Sequence, residues 1–338
     1  MKIKWFFFFL TIVTFSVVLY NYIEKDDNPP LKVGVIMIGE SRYEKFLGLK
    51  QGLLDLGYKE NEFEFVLKNG KDDDRLLENQ IARLLKETPD VIVAMGGIET
   101  LELKKQVTDQ QLDIPIVFAG IAAPKDIGVI DEYHTPGGQF TGVNNYHTGI
   151  SGKRLEMLYD LIPSLKRVHV LYDQDIEVSQ LSLENTKEAA MKLAIEIVVH
   201  PVGGADFLEQ FGNSIQNQEG ILVLPGFRME SMAEQIVEIS RRYQAPTMGI
   251  YEHETESGFL ASYGATFYSQ GYQAARYVSL IIQGNSPSEL PVELPDSIQF
   301  FINKQVAKEL NIPMDHDLMK VANLVMAVEG NKADEAAN

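Results

Sequence analysis

An alternation between short apolar, β-branched runs and amphipathic helical stretches, repeated twice, constrains this chain more than any other feature. From Leu31 onward the runs cover residues 32–38, 91–94, 115–119, 167–172, 196–199, 220–224 and 259–262. They are apolar almost throughout, as strands covered on both faces are, and strands separated by helices form parallel sheets. Between them, residues 74–85 place Leu76, Leu77, Ile81, Leu84 and Leu85 on one helical face, with Asp72 or Asp73 as N-cap. Ser151 can cap a helix that continues to Leu161. The strand and helix order of residues 32–119 recurs over residues 167–250. The expectation is an α/β chain of two Rossmann-like lobes of parallel sheet with flanking helices.

The Pro136-Gly137-Gly138 turn and the run 140–143 end the first lobe, and Asn144 and Asn145 form the first crossing. Further crossings fall near Tyr263-Gly264 and residues 300–303. Lobe one is then 31–145 plus about 265–299, and lobe two is 146–264 plus about 300–325. Residues 326–338 form an acidic, flexible tail.

Ahead of the lobes, Lys2 and Lys4 precede an uncharged run from Trp5 to Ile23, and Glu24, Lys25, Asp26 and Asp27 follow it. Its length approaches the roughly 20 apolar residues that cross a bilayer, and the flanking charges keep the N-terminus in the cytoplasm. Residues 1–30 are therefore read as a transmembrane helix and membrane anchor, with the remainder on the extracytoplasmic face. The exit from Val17 to Tyr22 lacks the small residues of a cleavage site, so an uncleaved anchor is expected over a cleaved signal peptide.

The chain has no cysteine, which removes lipoprotein processing, disulfides and thiol catalysis together. It carries 48 Asp and Glu against 30 Lys and Arg, a formal charge of −18, which argues against a nucleic-acid partner. Asp173, Asp175, Glu177 and Glu184 follow a calcium-loop spacing, but Val178 stands where that loop needs glycine. The six histidines show no metal spacing, and no GxSxG elbow is present. No cofactor, metal or catalytic role is expected.

KVGVIMI (32–38), GLLDLGY (52–58), PDVIVA (89–94), DIPIVFAGIAAP (113–124), PGGQFTGV (136–143), KRVHVLY (166–172), FLASYG (259–264) and GYQAARYVSLIIQGNSPSELPVE (271–293) carry a resemblance. Together, across about Leu31 to Asp317, they resemble the ABC transporter substrate-binding proteins of the type I periplasmic-binding fold. The similar branch includes tryptophan and other aromatic amino acid binders. IPIVFA and PGGxxTGV are the more specific segments. The resemblance implies a small-molecule ligand in a cleft beyond the carboxyl ends of the strands, closure about the crossings, and an ABC permease as partner.

By that resemblance the carboxylate-holding loop follows residues 91–94. There Gly96, Gly97 and Ile98 would offer backbone N–H groups at a helix N-terminus, unless the segment is a plain strand-to-helix turn. Glu99 either points away and supports the helix dipole or faces the cleft and repels a carboxylate. The edge after Ile38 offers Tyr43 and Ser41, the latter as contact or N-cap. Ala122 lies where the family often carries Thr-Asp-Pro, so an acid that could pair with an ammonium is missing. Asn144 and Asn145 lie at the crossing. In lobe two, Phe227 and Arg228 replace small polar residues and Asp, and Tyr251 and Glu252 replace an Asp. Arg228 is either a cleft guanidinium that grips a carboxylate or phosphate, or a solvated helix residue. Tyr43, Tyr146, Phe227, Tyr251 and Tyr263 could stack on a flat ligand or simply pack between lobes. The function implied is a membrane-tethered solute-binding protein that captures an amino acid or other carboxylate for an ABC importer. A ligand-sensing ectodomain that signals to a membrane partner is the alternative, with an enzyme on the same scaffold behind it.

Overall fold

The computed structural model describes residues 29–204 and 207–326. Apolar runs covered on both faces must satisfy their backbone against neighbouring strands, and they do so in two sheets. The first joins β1 (Leu31–Met37), β2 (Phe63–Asn69), β3 (Val91–Ala94), β4 (Ile116–Ile121) and β5 (Phe140–Asn144) in the order β2-β1-β3-β4-β5, all parallel. The second joins β6 (Arg167–Tyr172), β7 (Glu196–Pro201), β8 (Glu219–Val223), β9 (Thr247–Gly249), β10 (Ala261–Gly264), β11 (Gln299–Asn303) and β12 (Asn323–Val325) in the order β12-β11-β10-β9-β8-β6-β7. One pair departs from the expected parallel arrangement: β10 and β11 run antiparallel, with Ala261 opposite Ile302.

Helices cover both faces of each sheet because successive strand residues point to opposite sides. Val33, Val35 and Met37 of β1 pack with the helices Tyr43–Asp55 and Phe267–Ile282, whereas Ile36 joins Asp74–Lys86 and Gly97–Asp109. In the second sheet Val168 and Val170 face the Ser151–Leu161 and Glu177–Leu193 helices, and Leu171, Ile221 and Val223 face Ala233–Tyr243. Asp73 caps its helix as expected, accepting from the Leu76 N–H at 2.7 Å. Ser151 does not cap: it is the first helical residue, fully buried, and its hydroxyl donates to the His147 carbonyl at 2.9 Å. Among the described residues no helix is long and apolar enough to cross a membrane. The expected anchor segment, 5–23, and the tail beyond Met326 lie outside the described residues.

The Phe267–Ile282 helix returns from the second sheet to lie on Tyr43–Asp55 at a contact made of glycines. Gly48 abuts the Tyr268 carbonyl, Gly271 abuts the Lys45 carbonyl, and a Cβ on Gly52 would stand 2.6 Å from the Ala275 Cβ. No side chain fits at these points without separating the helices. Gly48→Ala should therefore destabilise the protein by about 1–3 kcal/mol in chemical denaturation, outweighing the gain in helix propensity.

In the second sheet, buried His169 joins its two neighbouring strands. Its Nδ1 lies 2.8 Å from His200 Nε2 on β7, and its Nε2 lies 2.8 Å from Glu219 Oε2 on β8. Burial, then the His169 ring, push the His200 pKa down to about 4. The unfolded chain, with an ordinary value near 6.5, takes up a proton that the fold refuses. This contribution to stability is complete above pH 6.5 and is lost as the pH falls toward about 4. The thermal unfolding midpoint should decline through that window, and His200→Gln should flatten the decline.

Candidate functional site

Both sheets turn the carboxyl ends of their parallel strands toward one cavity of about 310 Å³. In open α/β sheets a crevice forms where neighbouring strands send their connections in opposite directions. Here those points lie between β1 and β3 and between β6 and β8. Arg42 follows β1, Gly96 to Ile98 follow β3, and Gly120 to Ala122 end β4. Opposite them stand Asp175 after β6, Pro225 to Phe227 and Glu230 after β8, and Tyr251 after β9. Ile98, Leu101, Ile127, Ile176, Val178 and Phe227 give the cavity an apolar wall.

Seven of the residues expected from sequence line this cavity: Gly96, Gly97, Ile98, Ala122, Asn145, Phe227 and Tyr251. Six do not. Ser41 is exposed in the turn Glu40–Arg42. Tyr43 is exposed and its ring packs 5.7 Å from Phe46. Asn144 is buried and its Oδ1 accepts from the Tyr146 N–H at 2.9 Å. Tyr263 places its ring on Phe300. Glu252 lines a neighbouring cavity with Glu44, Glu256 and His253. Arg228 is half-exposed and paired with Asp175 at 2.9 Å and Asp173 at 3.2 Å, so it closes the rim between two loops instead of offering a free guanidinium. The same contacts occupy the calcium-like segment, and among the described residues no group of His, Asp or Glu is arranged to hold a metal ion.

The cavity floor is built from charges, of which the sequence singles out only Glu99. Glu99 neither points away nor faces the cleft. It is fully buried, accepts from the Ile38 N–H at 2.8 Å and lies 3.9 Å from Arg42 Nε. A Cβ at Gly96 would stand 2.6 Å from the Glu99 carboxylate, so the glycine there makes room for this fold-back. Arg42 meets Glu230 from the other sheet, NH1 to Oε2 at 2.7 Å and NH2 to Oε1 at 3.1 Å. Burial opposes its charge, but Glu230 and then Glu99 hold the guanidinium above its ordinary range. The Phe267 ring lies 4.8 Å from its Cζ. Lys45 donates to the carbonyls of Ala119 at 2.8 Å and Gly120 at 3.2 Å; burial and the Arg42 charge push its amine well below the usual value.

A second set of contacts fixes the side of the cavity around Asn145 and His147. Asn145 donates to the Gly120 carbonyl at 3.2 Å and accepts from the His147 N–H at 3.2 Å. Arg154 is fully buried and donates to the Tyr263 carbonyl at 2.6 Å and the His147 carbonyl at 2.9 Å. Burial lowers its pKa only to about 10, so it stays charged. Its NH2 lies 3.0 Å from His147 Nδ1, and a guanidinium can only donate. Nδ1 is therefore an acceptor, and the neutral ring carries its proton on Nε2, which has no partner among the described residues. Beside it, Tyr251 packs edge-on at 5.1 Å, and its backbone is pinned by Glu254, whose Oε2 accepts from Ile250 at 2.6 Å and Tyr251 at 2.8 Å. Burial raises the Glu254 pKa to about 7.

The arrangement offers a cation, an anion, a neutral imidazole N–H and a helix N-terminus without a side-chain cap, all facing an apolar wall. Burial, followed by the Arg154 charge, pushes the His147 pKa well below its usual value. Ring ¹⁵N shifts should show the Nε2–H form still neutral at about pH 6, where an exposed histidine is largely protonated. Arg154→Met should let the other tautomer appear. A protonation step near the ordinary value would contradict this geometry.

Residues 31–326 match the family described as ABC transporter substrate binding protein. A curated relative, the tyrosine-binding protein of Clostridioides difficile, is 22% identical over 267 residues, covering 78% of this chain and 76% of its own. Among solved structures, an ABC domain from Streptococcus pneumonia in complex with L-Trp aligns with a TM-score of 0.77 at 21% identity, over 88% of this chain and 100% of that one. A ligand-free, open substrate binding protein with adhesive properties from Clostridium difficile aligns at 0.70 and 20% identity, over 88% and 100%. These structural likenesses carry the fold, which is that of the type I periplasmic binding proteins. The sequence match spans both sheets and every residue of the cavity, and by it the chain belongs to the ABC transporter substrate-binding protein family.

Proposed function

We propose that the protein captures an amino acid with an apolar or aromatic side chain and presents it, from the outer face of the membrane, to the permease of an ABC importer. The observation that carries this reading is the cavity itself. Its lining divides into buried charges of both signs, Arg42 and Glu230, and apolar side chains, and its volume is at the small end of the roughly 300–1,000 Å³ typical of ligand pockets. That division matches a small molecule with an ionic head and an apolar body. The tyrosine-binding relative and the L-Trp complex support the same class of ligand. In this reading lobe one (31–145 with about 265–299) and lobe two (146–264 with about 300–325) close on the ligand about the crossings. The uncharged run 5–23, with Lys2 and Lys4 ahead of it, tethers the protein to the membrane.

Thermal unfolding of the purified chain against a panel of amino acids, sugars and simple carboxylates tests the ligand class. An aromatic or large aliphatic amino acid should raise the midpoint with increasing concentration, and at 100 times its Kd it adds roughly 2.7 kcal/mol. Stabilisation by sugars alone, or by none of the amino acids, would overturn the assignment.

A further inference from the structure

Arg42 and Glu230 meet across the cavity from different sheets. Arg42 stands beyond the carboxyl end of β1, and Glu230 sits on the short helix Phe227–Ser231 after β8. Their contact combines an ion pair, NH1 to Oε2 at 2.7 Å, with one hydrogen bond, NH2 to Oε1 at 3.1 Å, and the side chains are only 7% and 9% exposed. Arg42 is also braced from its own side by Glu99 and by the Phe267 ring. The first unit therefore holds the guanidinium in place, and the second unit reaches it with a carboxylate. Both residues line the cavity, so an entering molecule meets a pair that is already neutralised.

We infer that this ion pair is a latch between the two units, and that a bound zwitterion opens it by taking over both of its charges. The ligand's carboxylate replaces Glu230 on Arg42, and its ammonium replaces Arg42 on Glu230. The identity of the ligand rests on the amino acid reading above; the latch is a property of the chain alone. Separating a buried ion pair leaves two charges stranded in a poorly solvating site, at a cost larger than the pair itself contributes. An α-amino acid carries one charge of each sign on neighbouring atoms, so the exchange leaves nothing stranded. A molecule with only a carboxylate strands Glu230. A molecule with only an amine leaves Arg42 with the longer Glu99 contact, 3.9 Å away. Selection by the number and sign of charges is thereby added to selection by the apolar wall.

The chain has no cysteine, so Leu56→Cys and Met191→Cys, at exposed positions of the first and second units, provide two unique spin-label sites. With no ligand added, pulsed electron–electron distance measurements on the labelled full chain should give a longer, broader distribution in Glu230→Gln and in Arg42→Gln. Glu234→Gln, at an exposed neighbouring position, should leave it unchanged. Calorimetry with L-tyrosine, 3-(4-hydroxyphenyl)propanoate and tyramine reads the exchange. L-Tyrosine should bind at least about 100-fold more tightly than the propanoate, and in Glu230→Gln that gap should shrink at least about 10-fold. Circular dichroism checks folding, and if Arg42→Gln fails to fold, the isosteric Glu230→Gln decides alone. An unchanged distance distribution overturns the latch. The same gap between L-tyrosine and the propanoate before and after the substitution overturns the exchange. A distribution that responds while none of the three probes binds supports the latch and overturns the amino acid reading instead.

Discussion

A cation taken out of water must be given carboxylates, carbonyls or ring faces in place of the solvent it has lost. Arg42 and Arg154 are buried with their charge and Lys45 is buried as an amine whose charge burial disfavours, and satisfying each of them fixes a different part of the cleft. Lys45 binds its helix to the end of β4 through two carbonyls. Arg154 binds the Ser151–Leu161 helix to the end of β10 and orients the imidazole of His147. Arg42 gathers the end of β1, the first turn of the Gly97–Asp109 helix through Glu99, and the opposing sheet through Glu230. The rigid, charged end of the cavity is the common product of these three solutions.

The same region is also held by shape, for the Phe267 ring lies on Arg42 and Tyr251 packs against His147. Tyr251, Phe267 and His253 stack against one another between the units, with ring centroids 4.4 to 5.5 Å apart. Tyr251 borders both the main cavity and its acidic neighbour, and Glu254 fixes its backbone from below. Gly249 belongs to the same device, since a side chain there would run into the Glu254 carboxylate. Tyr251 thus serves two cavities, one lined by apolar side chains and charges of both signs and the other acidic.

How much of this was legible follows from what each residue type reveals. Strands covered on both faces read as unbroken apolar runs, so β1, β3, β4, β6, β8 and β10 stand out within a few residues, and the edge strand β7 does so through its Ile197-Val198-Val199 run. β2 is an edge strand whose FEFVLKN run is mostly half-buried, with Glu64 and Leu67 exposed, and β9 and β12 are three residues long, too short for a period to register. The glycine loop after β3 was legible as a strand-to-helix turn at the cavity edge, though not the fold-back of Glu99 for which Gly96 makes room. The charged floor was not. Residues two apart on a helix face directions about 200° apart, so choosing Arg228 in place of Glu230 selects the rim instead of the cavity. The same winding separates Ser41 and Tyr43 from Arg42. Glu99 and Lys45 lie in the first turns of helices, where a charged residue ordinarily meets solvent, and only the tertiary structure shows that these two are buried.

The glycine contact between the first and last long helices has a consequence for how the chain comes into being. The Tyr272 hydroxyl reaches Asp55 across 217 positions of sequence, and the face of β1 carrying Val33, Val35 and Met37 is covered in part by that same returning helix. During synthesis the first sheet emerges early, yet part of this apolar face, beyond what the Tyr43–Asp55 helix covers, stays bare until residues 267–282 arrive. Contacts so distant in sequence form slowly, and uncovered sheet faces invite association with other chains. The two units therefore mature together, late, and a chain cut short of this helix displays an unfinished surface that marks it for rescue or removal.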